Sequence, residues 1–162
     1  MLRPILILLI VVLLQGFTPA LGQQAPTGPT CASPTGTWHN DLGSTLLIES
    51  ADANTGMLTG TYQSPSGGGI SSYPLIGWVN DAPANASNPC SDCLSNQARA
   101  LSLTVRWGEI GSITSWTGTC ALVNEAPAIK MLWNLVRPKS AYSWDHVVSG
   151  SATFVPGPAP TK

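Results

Sequence analysis

Six tryptophans and a set of scattered hydroxyls and amides are the residues of this chain best equipped to hold a ligand. Trp38 stands two places before Asn40, and Trp116 follows Thr114 by two and Ser112 by four. In an extended strand a spacing of two puts side chains on one face. Leu101, Leu103, Val105 and Trp107 likewise share a face, as do Ile129, Met131, Trp133 and Leu135. Tyr62 and Ser64 lie with Leu58, and Ser44 with Leu46 and Ile48. If these faces line an interior, then Asn40, Ser44, Tyr62, Ser64, Ser112 and Thr114 point inward beside the indoles. Buried hydroxyls and amides are costly unless hydrogen-bonded, so the pattern fits a cavity for a small ligand with an apolar body and a polar head. It fits equally well a filled barrel in which these groups bond to backbone or meet water at the rim.

Catalytic chemistry has less to work with. His39 alternates away from Trp38 and Asn40, His146 is remote in sequence, and both read as surface residues. Asp145 and His146 are neighbours that an extended chain would turn to opposite faces. There is no nucleophile elbow, phosphate loop or carboxylate pair. An enzyme, a cofactor or a bound metal is therefore not expected. Four cysteines fit two disulfides better than a zinc site, with three pairings open. Cys90-Ser91-Asp92-Cys93 lacks the βαβ setting of a redox motif. Asn85-Ala86-Ser87 is a glycosylation sequon in a polar loop.

The elements that would carry these residues are short and separated by turn clusters. Alternation predicts strands over 35–40, 44–50, 57–64, 73–80, 99–107, 112–121, 129–136 and 147–155. The breakers include Asp41-Leu42-Gly43, Asn54-Thr55-Gly56, Ser66-Gly67-Gly68-Gly69 and Asn124-Glu125-Ala126-Pro127. Eight sequential strands with mostly short loops predict an all-β, antiparallel up-and-down β-barrel, which removes the edges of an open meander. The barrel is expected over 34–155, with 81–98 a long polar loop and flexible tails at 23–33 and 156–162. Residues 1–22, with Arg3, an apolar run from Ile5 to Leu14 and Ala20-Leu21-Gly22, read as a secretory signal peptide. That run is too short to span a bilayer, and a secreted protein is expected. Only 9% of residues are charged and the net charge is −1, so nucleic acid and anionic membranes are not expected partners.

Four segments, in order, resemble the avidin and streptavidin family: Thr35-Gly36-Thr37-Trp38-His39-Asn40-Asp41-Leu42-Gly43-Ser44; Leu58-Thr59-Gly60-Thr61-Tyr62; Thr104-Val105-Arg106-Trp107 leading to Thr114-Ser115-Trp116-Thr117-Gly118; and Trp133-Asn134-Leu135. The resemblance spans about 35–154 and implies non-covalent binding of biotin. It places Asn40, Ser44 and Tyr62 as donors to the ureido oxygen, a preorganised set akin to an oxyanion hole. Ser64 would accept from one ureido N–H, and Thr114 would lie near the thioether sulfur. Ser112 and the backbone of Gly67 and Gly68 would receive the carboxylate of the tail. Trp107, Trp116, Trp133 and Leu135 would wall the ring. Trp144 would cap the pocket of a neighbouring subunit, implying a homo-oligomer, most often a tetramer in this family. The resemblance also implies a Cys31–Cys120 disulfide, which leaves Cys90 and Cys93 to each other.

One position departs from the family. Where an Asn or Asp accepts the second ureido N–H, this chain has Ala152. An unpaired buried N–H costs roughly 1–3 kcal/mol, about ten- to a hundredfold in affinity, unless Ser151 or a water compensates. Two rivals follow: a lipocalin-like carrier, since that family also opens with Gly-x-Trp, and an avidin-fold structural or interaction protein that has lost tight biotin binding.

Overall fold

The computed structural model describes residues 28–66, 69–80 and 98–157. The expected leader, the sequon at Asn85, the Cys90–Cys93 pair and the Gly67-Gly68 backbone lie outside them. Eight strands run in order: β1 (Gly36–Asn40), β2 (Thr45–Ala51), β3 (Met57–Gln63), β4 (Ser72–Asn80), β5 (Arg99–Arg106), β6 (Ile113–Val123), β7 (Ala126–Val136) and β8 (Val147–Pro156). Each pairs antiparallel with the next, and β8 returns to β1, closing the barrel. Among the described residues the one helical element is a 3-10 turn, Gly108–Ile110.

The inward faces follow the alternation. Trp38, Leu46, Ile48, Leu58, Leu103, Val105, Ile129 and Phe154 are all at most 2% exposed, so one end and the middle of the barrel are solid core. Trp38 seals that end, its indole N–H donating to the Pro34 carbonyl at 2.9 Å. Beside it a disulfide joins Cys31 to Cys120, with Cα atoms 5.4 Å apart, and Arg99 donates to the Ala32 carbonyl at 2.8 Å. The segment before β1 is thereby fastened to β5 and β6. Closing a loop across 89 residues stabilises the fold by on the order of 4–5 kcal/mol in the chain-entropy picture.

The β6–β7 hairpin is longer than alternation suggested. β7 begins at Ala126, within the expected breaker, because Asn124 and Glu125 alone make the turn, with φ of 50° and 67°. Positive φ at both central residues is the tight hairpin geometry whose twist matches the strands. Pro127 then sits inside β7, opposite Leu122. The pairing of β7 with β8 starts only at Ile129, so the missing N–H of Pro127 faces no strand there, which is where a sheet tolerates proline.

Candidate functional site: a polar-headed aromatic cavity

The other end of the barrel, where the β1–β2, β3–β4, β5–β6 and β7–β8 connections gather, is hollow. A cavity of about 180 Å³ is lined by residues that include Asn40, Ser44, Tyr62, Ser64, Trp107 and Thr114, with Trp116, Trp133, Leu135 and Ala152 completing its walls. Every inward polar group expected from alternation is buried: Asn40, Ser44, Tyr62, Ser64, Ser112 and Thr114 are each at most 8% exposed. Five of the six line the cavity. Ser112 does not; it lies in the β5–β6 connection, its carbonyl accepting from Trp107 N–H at 3.0 Å.

Local bonds fix how these groups face. The Ser44 N–H donates to Asn40 Oδ1 at 2.8 Å, so the amide oxygen is engaged and the NH₂ is the part left for the cavity. The turn itself makes this contact, because Gly43 N–H bonds the Asn40 carbonyl at 3.1 Å and Asn40 N–H bonds the Ser44 carbonyl at 3.2 Å. Ser44 Oγ lies 3.5 Å from Ser64 Oγ, which is 3.2 Å from Ser66 Oγ. Trp107 Nε1–H donates to Thr114 Oγ1 at 2.7 Å, leaving the threonine proton free to donate.

Tyr62 is the hub of the aromatic wall. Its ring centroid is 4.9 Å from that of Trp116 and 5.9 Å from that of Trp107, the latter edge-on at 80°. Burial pushes the phenol above its ordinary pKa of 10.0, partly offset by the Ser44 hydroxyl. A phenol, a hydroxyl and an amide NH₂ thus converge as neutral donors from three strand ends. Such a set suits a carbonyl-type oxygen, with the indoles around it suited to an apolar ring.

Several positions differ from, or add to, the expectation. His39 is not a surface residue: it is 6% exposed. It lies between its cross-strand neighbours Thr45 and Val155, with Nδ1 3.1 Å from Thr45 Oγ1, and burial lowers its pKa from 6.5. Alternation gives a side chain's direction from the barrel axis and does not report what neighbouring strands lay over it. Ser151 is exposed, on the outer face opposite Leu132, so its hydroxyl does not replace the acceptor absent at Ala152. Leu42 and Ser66 also line the cavity; both sit in turns, where alternation gives no direction. Trp144 is 77% exposed and is no part of its own barrel's cavity lining.

A larger open recess of about 670 Å³ lies at the opposite end, between the β2–β3 turn, Trp78 and Arg99. Its carboxylate, Asp52, is held below the ordinary range by the N–H groups of Thr55 and Asn54, to which it is bonded. That satisfies a turn and supplies no convergent ligand set.

A closed eight-stranded barrel with one solid end and one hollow end headed by converging donors is the architecture of a small-molecule binder. The family model for the avidin family matches residues 28–157, and the chain belongs to that family. Its members bind biotin as a ligand and are binding proteins, not enzymes.

Proposed function

We propose that this protein binds biotin non-covalently in the hollow end of its barrel. The observation that carries the reading is the convergence of Asn40, Ser44 and Tyr62 at the head of the tryptophan-walled cavity. In this reading the three donate to the ureido oxygen and favour its polarised form, having already been oriented by bonds within the protein. Ser64 accepts from one ureido N–H. Trp107, Trp116 and Trp133 cover the bicyclic ring with Leu135, and Thr114 turns its proton toward the sulfur. The carboxylate of the tail goes to Ser112 in the β5–β6 connection, with the Gly67 and Gly68 backbone as the further donors that the family resemblance assigns.

Ala152 sets the strength. With no side-chain acceptor on β8, binding is weaker than in a family member with Asn or Asp there by about ten- to a hundredfold. The family match sets the lipocalin rival aside. A barrel that has lost tight binding is the second reading, and Ala152 is the observation that favours it. Isothermal titration of biotin separates the two: one site per chain with tight affinity supports the first, and no measurable heat or displacement supports the second.

Oligomer formation fits the outer surface. Ile113, Val136 and Val147 form an exposed cross-strand row on β6, β7 and β8, with Leu132 at 69% exposed nearby. Trp144 would cap a neighbour's cavity from the β7–β8 connection. The protein is exported in this reading, as avidin-family proteins typically are. The disulfide is compatible with that, and no helix among the described residues is long and apolar enough to cross a membrane.

A further inference from the structure

The β1–β8 seam that closes the barrel is short, and Ala152 lies beyond its last pair. β1 pairs with β8 over three positions, Trp38–Asn40 against Pro156–Phe154, so among the described residues the first half of β8 has a strand partner on its β7 side alone. Asn40 turns its own N–H and C=O toward Ser44 and Gly43 on the β2 side. Backbone groups alternate sides along a strand, so His39 and Val155 make the bonded pair. By the same alternation the N–H and C=O groups of Thr153 and Ser151 face the gap where a longer β1 would lie.

That gap is occupied by an open recess of about 580 Å³ along Asp41, Ser151 and Thr153. It shares two residues, Asn40 and Ala152, with the internal cavity. Ala152 is also the single residue that β8 contributes to the cavity lining. Asn40 and Ala152 are thus the residues that cavity and recess have in common, and the side chain that β8 places there is no larger than a methyl group. A larger side chain at 152 would project between the two spaces.

We propose that Ala152 forms a lateral window and sets specificity: the pocket accepts cyclic ureas that carry a small neutral substituent on the ring nitrogen facing β8, which leaves through the seam. This rests on the biotin reading for the placement of the ring. A neutral group suits the seam because it is lined by backbone N–H and C=O groups and bordered by the Asp41 carboxylate, which repels an anion. Methylating that nitrogen removes an N–H that finds no side-chain acceptor, so little is lost. The other nitrogen faces Ser64, and methylating it forfeits a hydrogen bond and meets a closed wall.

The test is competition binding of biotin and its two mono-N-methyl ureido isomers to the purified, natively assembled protein and to its Ala152→Asn and Ala152→Val variants. One isomer should bind the unmodified protein within about tenfold of biotin and the other more than about a hundredfold more weakly. Ala152→Asn should tighten biotin and reject the favoured isomer, and Ala152→Val should reject that isomer by bulk alone. If biotin binds but both isomers are rejected alike, the window is closed and the proposal is overturned while the biotin reading stands. Binding of one isomer without biotin would support the window and overturn biotin as the ligand. Failure of all three would overturn both.

Discussion

Among single residues, biotin binding in the proposed reading depends on neutral donors held in place before a ligand arrives. Tyr62→Phe keeps the ring against Trp116 and Trp107 and removes one donor, so biotin affinity should fall about ten- to a hundredfold with little change in thermal stability. Ser44→Ala should cost a similar amount, and the double variant should depart from additivity because Ser44 and Tyr62 line the same cavity. The phenol's raised pKa gives a pH signature. The unfolded chain ionises Tyr62 first, so its contribution to stability is intact below about 10 and is lost as pH rises through the folded value. His39 acts at the other end of the range. Its folded pKa lies below 6.5, so the unfolded chain takes the proton first and stability declines as pH drops below about 6.5. His39→Gln should flatten that acid limb in a pH series of thermal melts; an unchanged limb would remove His39 as its source. Alternation identified the inward hydroxyls because a strand's period is two. It missed the burial of His39 because covering by neighbouring strands depends on register.

At the scale of elements, glycine and a pinned loop shape the walls. Gly150 lies opposite Trp133 across β7 and β8, and a Cβ there would come within 2.4 Å of the indole. Gly150→Ala should push Trp133 off its position at an overpacking cost of about 1–3 kcal/mol, weakening biotin more than it lowers the melting temperature. The β7–β8 connection is clasped at its neck. Arg137 Nη2 donates to both the carbonyl and Oδ1 of Asp145, Arg137 N–H bonds the His146 carbonyl, and His146 Nδ1–H donates back to the Arg137 carbonyl, each at 2.8 Å. Within the clasp Tyr142 stacks on Trp144, centroids 4.8 Å apart and planes at 9°. A sequence reading of Asp145 and His146 as mere neighbours had no access to this, since their common partner Arg137 comes from the other side of the loop. The Cys31–Cys120 link lies at the solid end, so Cys31→Ser should lower stability by roughly 2–5 kcal/mol and leave biotin affinity nearly unchanged.

At the scale of the whole molecule, strand order was readable from turn clusters and period, and closure follows from β8 pairing with β1. The lateral seam was not readable, because it depends on β1 ending after three pairs with β8. In the proposed assembly the exposed Tyr142–Trp144 pair and the Ile113–Val136–Val147 row are the surfaces that would meet neighbouring barrels. Trp144→Ala should speed biotin release roughly tenfold or more, as expected of a buried interface tryptophan, and shift the assembly toward smaller species in sedimentation. Release at the original rate would show that each barrel holds its ligand alone. Whether the hollow end takes biotin is decided by isothermal titration of biotin into the purified protein. One site per chain is expected, tightened about ten- to a hundredfold by Ala152→Asn. Absence of binding in both proteins would contradict biotin as the ligand.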